Sequence, residues 1–230
     1  IENDFKDTPC ETIRHRDNVD VLTPQEIIDI VKEAGITGMG GAGFPTHVKL
    51  SGAVGKVDTI LINGAECEPY ITADHRLMLE RGEAVLGGVS FIMKALGLQT
   101  ATIGIEGNKL DAVEHLKSLL PAGSGIQIET LKTRYPQGAE KQLIQRVTGR
   151  EVPPGGLPAD VGCTVFNVAT ASAIYDAVTE GKPLTHRNVT LTGGAMTRPL
   201  NVFAPIGTPL EHLVKMAGGF KTPPQRLLMG

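Results

Sequence analysis

The chain contains no tryptophan, and aromatic residues make up only 4% of its 230 positions. Its core must therefore rest on Ile, Leu, Val and Ala rather than on stacked rings. Only three cysteines occur, Cys10, Cys67 and Cys163, widely spaced and with no C-x-x-C pair. That spacing offers no iron–sulfur or zinc framework and reads as thiols in a reducing compartment. Neither sign of charge dominates, the formal net charge being −3. A basic nucleic-acid face and an acidic disordered arm are both absent. The longest apolar stretch, Ala84 to Met93, contains two glycines and stops at Lys94, well short of the roughly 20 residues a membrane helix needs. No signal peptide is visible. His15, His47, His75, His115, His186 and His212 are scattered without ligand spacing, so no metal site is expected. There is no G-x-S-x-G elbow and no P-loop, which argues against a hydrolase or an NTPase.

What the chain does have is glycine, 28 in all, four of them within positions 38–43. The stretch Gly38-Met-Gly-Gly-Ala-Gly-Phe-Pro-Thr-His-Val-Lys strips the backbone of side chains and ends on Lys49. Bare N–H groups in such a bend can turn toward an anion, and glycine tolerates the positive φ that the bend requires. Phe44 adds a flat ring at the edge of the bare patch. The physical reading is a cradle for a phosphorylated planar cofactor. The alternative is a tight turn that only packs against a neighbour. Gly38, Gly40 and Gly43 also spell G-x-G-x-x-G, but that fingerprint belongs between a strand and a helix. Here Thr23-Pro-Gln-Glu starts a helix with a capping box, and Ile27, Ile30, Val31 and Ala34 share one face. A helix enters the loop, so the standard NAD loop does not fit.

Beyond the loop, strands and helices alternate. Asp58 onward reads as a short buried strand, followed by helices over 73–80 and 83–96, the second capped at Gly97. Strands are expected over 100–105, 126–131 and 164–168, and helices over 109–120, 138–148 and 169–180. The rhythm implies βαβ units: an α/β fold with a Rossmann-like, mostly parallel sheet and flanking helices. After Pro183 it changes to two strands, 188–192 and 202–206, and a helix over 209–217, the start of a smaller module. The expected division is 1–20 as a linker with at most a short strand, 21–185 as the α/β domain, and 186–230 as the opening of the second module. The chain starts on Ile and ends mid-pattern, which reads as a part excised from a longer polypeptide.

Four segments carry candidate chemistry. The glycine loop is the first. The second, Asn63-Gly-Ala-Glu-Cys-Glu, follows the first strand, at the edge where parallel sheets bind ligands. Asn63 offers a donor and an acceptor, and Glu66 and Glu68 offer acceptors; a solvated acidic loop is the plainer alternative. The third, Tyr135-Pro-Gln-Gly-Ala-Glu, puts Gly138 and Glu140 at a helix start, where a carboxylate also serves the helix dipole. The fourth, Phe166-Asn-Val-Ala-Thr, brings Asn167, which is also a natural N-cap, and Thr170.

These residues carry a resemblance. Gly38-Met-Gly-Gly-Ala-Gly-Phe-Pro-Thr with Lys49 resembles the flavin loop of the NADH-oxidising flavoprotein of respiratory complex I. The segments 62–74, 132–143 and 148–156 resemble the C-subunit family of the Rnf electron transport complex. Ile1-Glu-Asn-Asp resembles the exit from that family's N-terminal barrel-sandwich domain. The resemblance implies a Rossmann-like domain followed by a β-grasp-like SLBB module. It also implies two [4Fe–4S] clusters in the full-length protein, outside this segment. It implies FMN held by Gly38, Gly40, Gly41 and Lys49 at the phosphate and ribityl chain, with Asn63, Glu66, Gly138, Asn167 and Thr170 lining the flavin. Phe44, Glu68 and Glu140 would meet NADH. Met39, Ala65 and Gly52 depart from the complex I pattern of arginine, aspartate and aromatic.

The activity so implied is NADH oxidation by direct hydride transfer to FMN, with no catalytic acid or base, and single electrons passed on to the clusters. The setting would be the cytoplasmic face of a bacterial inner membrane, among other Rnf subunits, with ferredoxin or flavodoxin as partner and Na⁺ or H⁺ transport coupled to the redox reaction. A cobalamin reductase-type flavoprotein shares the glycine loop and stays open as an alternative. So does a flavin-free scaffold that docks electron-transfer partners.

Overall fold

The structure, a computed structural model, describes residues 8, 10, 11 and 13–229. The Ile1-Glu-Asn-Asp segment lies outside the described residues, as does part of the expected linker. Among its described residues, Val19–Val21 forms a single 3₁₀ turn.

Helix α1, Pro24–Glu33, starts as the sequence dictates. Thr23 accepts from the Glu26 backbone N–H, and the Glu26 carboxylate accepts from the Thr23 N–H. Pro24 occupies the first position, where a missing N–H costs nothing. After the glycine loop comes α2, Thr46–Ala53, whose bounds the sequence reading left unassigned. Its apolar pattern is faint, yet Thr46, Leu50 and Ala53 fall at helical spacing and are buried.

Four parallel strands follow, β1 (Thr59–Gly64), β2 (Ala101–Glu106), β3 (Ile126–Leu131) and β4 (Cys163–Asn167), in the order β3-β2-β1-β4. They are linked through α3 (Ala73–Glu80), α4 (Gly82–Leu96), α5 (Leu110–Leu119) and α6 (Glu140–Thr148), and α7 (Val168–Glu180) leaves β4. Strand pleating sends successive side chains to opposite faces. Ile60, Ile62, Ile103 and Ile105 join α1, α4, α5 and α7 in the larger core. Leu61 and Val165 face the other way and meet Leu143 and Ile144 of α6. Both faces are largely dry along β1, β2 and β4, which is why these strands read as mainly apolar, whereas the edge strand β3 exposes Gln127 and Thr130. Helix α6 begins at Glu140, two residues later than the sequence suggested. Gly138 is held outside it by close packing on the Ala65 carbonyl.

Strands β5 (His186–Leu191) and β6 (Leu200–Pro205) pair antiparallel in a separate two-stranded sheet, followed by α8, Leu210–Met216. Leu191, Met196, Val202, Ala204, Leu213 and Ala217 form their own cluster. Among the described residues, no helix is long and apolar enough to cross a membrane.

Helices α4 and α7 cross where glycine lets them touch: a Cβ on Gly88 would overlap the Ala171 carbonyl. Gly88→Ala should therefore cost about 1–3 kcal/mol through overpacking, read as a lower denaturation midpoint in urea. An unchanged midpoint would show that this crossing can relax.

Candidate functional site

The strand order reverses direction between β1 and β4, which is where an open parallel sheet leaves a crevice at its carboxyl edge. Asn63, next to the last residue of β1, and Asn167, the last of β4, stand opposite each other in register. The Asn167 side chain ties three elements together. Its Oδ1 accepts from the Ala169 N–H (2.8 Å), capping α7, while its Nδ2 donates to Asp74 Oδ2 (2.7 Å) and reaches the Asn63 carbonyl at 3.5 Å. Asn63 Nδ2 donates to the Gly138 carbonyl (2.7 Å). The N-cap role expected of Asn167 is present, with two further roles that only tertiary structure supplies.

The glycine loop lies over this pair. Gly38 donates to the Phe44 carbonyl (2.8 Å), closing the bend, and Met39 N–H donates to Thr170 Oγ1 (2.9 Å). Gly40 and Gly43 have φ of +76° and +68°, the left-handed region that glycine enters without strain. A Cβ on Gly40 would sit 3.0 Å from Asn167 Nδ2, whereas one on Gly41 or Gly43 would meet nothing within 4 Å. The bend is packed against Asn167 at Gly40 and open at Gly41 and Gly43. Phe44 is 54% exposed beside it. At the start of α2, Thr46 Oγ1 is the only buried side-chain polar atom among the described residues that lacks a partner.

Lys49 lies on α2, the helix that follows the loop. Its ammonium donates to Glu140 Oε1 (2.8 Å) and to the Val165 carbonyl (2.6 Å), and it sits 5.5 Å from the centre of the Phe166 ring. Two of its three hydrogens are engaged. The bond to Val165 also blunts the open edge of β4. Gly138 owes its identity to contact with Ala65, and its N–H donates to Cys67 Sγ (3.3 Å).

Glu66 does more than line the edge. Its two carboxylate oxygens accept from the Asp74 and His75 backbone N–H groups (2.9 and 3.2 Å). It therefore caps α3 from outside while the local candidate, Thr72, turns to Asn201. Its carbonyl accepts from the buried Lys109, which lies 3.6 Å from the buried Glu106 at the end of β2. A neighbouring cavity of about 340 Å³ is bordered by Glu66, Cys67, Glu68, His75, Lys109 and Tyr135. Glu68 charge and its hydrogen bond hold the Tyr135 phenol above its usual range. Glu68 thus lies on this flank, Lys49, Glu140 and Phe44 on the glycine-loop side, and Asn63, Asn167 and Thr170 at the junction.

Asp74, Lys109 and Glu106 were not singled out from sequence. For Asp74 the available signal was its place in the first turn of α3, where acids serve the helix dipole whether or not they do anything else. Burial, then the Glu66 charge, push its carboxyl up to about 6, against the opposing pull of Asn167, Arg187 and Lys109. Among the described residues, no cluster of His, Cys, Asp and Glu is placed to hold a metal ion.

Fold and strand order together define a Rossmann-like α/β protein whose glycine loop and strand-end asparagines gather at its topological switch point. The chain belongs to the family of the Nuo51 FMN-binding domain, whose profile matches residues 31–176, and an SLBB domain profile matches 188–228. It is 50% identical over its whole length to the C subunit of the proton-translocating ferredoxin:NAD(+) oxidoreductase complex of Clostridium ljungdahlii. It is 44% identical, again over its whole length, to the Na(+)-translocating counterpart of Acetobacterium woodii. A third relative, the C subunit of the ion-translocating oxidoreductase complex of Pseudomonas aeruginosa, is 47% identical over 96% of the chain. The chain spans 50%, 52% and 28% of these relatives' lengths. The expected likeness to the C-subunit family is borne out. An NAD⁺-reducing [NiFe]-hydrogenase in its air-oxidised state superposes with a TM-score of 0.74 at 23% identity, over 93% of this chain and 42% of that one, which shows the shared fold.

An acid whose folded-state pKa is raised holds its proton more tightly in the native state. Stability then falls as pH rises from the ordinary carboxylate range through about 6 and stays reduced above it. Asp74→Asn should accordingly be more stable than wild type at pH 8, by roughly 1–3 kcal/mol, with the gap closing toward pH 4. Denaturant titrations at several pH values check this; a gap independent of pH would contradict the placement of Asp74.

Proposed function

We propose that this chain is the FMN-binding, NADH-oxidising part of a membrane-associated ion-translocating ferredoxin:NAD oxidoreductase. The observation that carries the reading is the glycine bend over the Asn63–Asn167 junction, open at Gly41 and Gly43. Its features fit a flavin nucleotide. There are backbone donors free of side chains, the N-terminus of α7 joined to the loop through Thr170 and Asn167, a cation on the helix that follows, and an exposed ring at the rim. When bound, FMN supplies the hydride-accepting and one-electron chemistry.

The protein's own share is position and charge. Gly38, Gly40, Gly41 and Lys49 would hold the phosphate and ribityl chain. Asn63, Glu66, Gly138, Asn167 and Thr170 would line the ring, and Phe44, Glu68 and Glu140 would receive NADH. Lys49 has one hydrogen left for a phosphate oxygen beyond Glu140 and Val165. The working division is a 21–185 FMN/NADH domain and an SLBB module from 186, with 1–20 as a linker. The electrons would leave for [4Fe–4S] clusters elsewhere in the polypeptide and for ferredoxin or flavodoxin. The assembly would sit at the cytoplasmic face of the inner membrane beside other complex subunits. This reading draws its support from the family, from the relatives' names and from the crevice.

FMN titrated into the protein should bind and give a flavin spectrum that bleaches on adding NADH. A colourless protein without FMN affinity would refute the reading and favour a docking scaffold. Lys49→Glu should weaken FMN binding by at least about tenfold through lost attraction and added repulsion. Equal affinity in a fluorescence-quenching titration would remove Lys49 from the phosphate site.

A further inference from the structure

Two carboxylates, Glu66 and Asp74, stand beside the Asn167 amide on which the glycine loop packs, and their surroundings differ. Glu66 accepts two backbone N–H bonds at the head of α3, where a helix start favours an anionic acceptor. Asp74 accepts from the Asn167 amide at Oδ2 and lies next to the Glu66 charge. The cations nearby are only partly available to it. Lys109 is shared with Glu106 and the Glu66 carbonyl, while Arg187 reaches it from β5 in the second module. The imidazole of His75, the next residue, turns away onto Asp111 (2.9 Å). Asp74 is connected to the loop by one side chain, since the Asn167 amide that it holds lies against Gly40.

Resting on the FMN reading, we propose that Asp74 is the proton-linked group of this site: entry of the anionic nucleotide draws a proton from solvent onto Asp74 wherever that carboxylate is still ionised. The balance is a plain protonation. A new O–H bond forms at Oδ1, hydronium gives up its proton, and no electrons move. Oδ2 goes on accepting from Asn167, so the amide beneath the glycine loop stays in place while the negative charge beside it disappears. Glu66 keeps its place as the cap of α3. Asp74 is thus a positioning residue whose charge follows that of the cofactor, and its pKa of about 6 places the change within reach of neutral pH.

The test is calorimetry of FMN binding at pH 6.5, in buffers of different ionisation enthalpy, so that protons taken up per FMN are counted. Wild type should take up roughly half a proton more per FMN than Asp74→Asn, and Asp74→Asn should bind FMN at least as tightly. Riboflavin, which lacks the phosphate, should show a smaller difference between the two proteins. Equal uptake by both proteins with FMN bound overturns the role of Asp74 and leaves the functional reading standing. Absence of FMN binding to either protein removes the functional reading and this proposal with it. Should Asp74→Asn fail to fold, Asp74→Ser carries the same comparison. An infrared difference spectrum of wild type then provides a second readout: a protonated-carboxyl band must appear on adding FMN, and its absence counts against the proposal.

Discussion

The structure turns on the side-by-side ending of β1 and β4. Because Asn63 and Asn167 fall in register at the carboxyl edge, one short amide can cap α7, brace the adjacent strand and support the glycine loop together. Each bond alone is worth on the order of 1 kcal/mol. Their value lies in sharing one side chain, so that strand end, helix start and loop have few ways to shift independently. Register itself comes from the two cores. Slipping β4 by one residue would send Val165 and Phe166 to the wrong faces, and both are buried.

Around that junction the protein places charge with little slack. Lys49 is held by Glu140 and the β4 edge, Lys109 by Glu106 and the Glu66 carbonyl, and Glu66 by the head of α3. The Lys109–Glu106 pair is buried and the Lys49–Glu140 pair partly exposed, and pairs of either kind contribute little net stability. Here they fix where the carboxylates and ammonium groups sit relative to an open bend. The β5–β6 hairpin joins in at a distance. Thr190 accepts from the Thr72 N–H, and Asn201 bonds the Thr72 hydroxyl and carbonyl, so the turn after β1 is gripped from the second module as well.

Much of this was legible beforehand. The capping box at Thr23, the apolar runs of β1 and β2, the Gly97 and Gly181 stops and the four polar loops all rest on local rules, and the structure places them where those rules put them. What escaped reading did so for identifiable reasons. Helix α2 carries Gly52 and only a thin apolar face, so its helicity depends on Leu50 and Ala53 finding the core. The start of α6 was misjudged because Gly138 answers to Ala65, a residue 73 positions away in the chain. Asp74 resembles any acid in a first helical turn until Glu66 and Asn167 are seen beside it.

By itself the sequence determined the period of each segment, the helix caps, the side-chain-free bend and the lack of a cysteine framework, because these depend on neighbours a few residues apart. Only the tertiary structure decided which loops meet, that Glu66 rather than Thr72 caps α3, that Lys49 and Lys109 have acidic partners, and that Asp74 is pressed toward its neutral form. Those outcomes depend on desolvation and on charges brought together across the sheet. Neither quantity exists until the strands have taken their order.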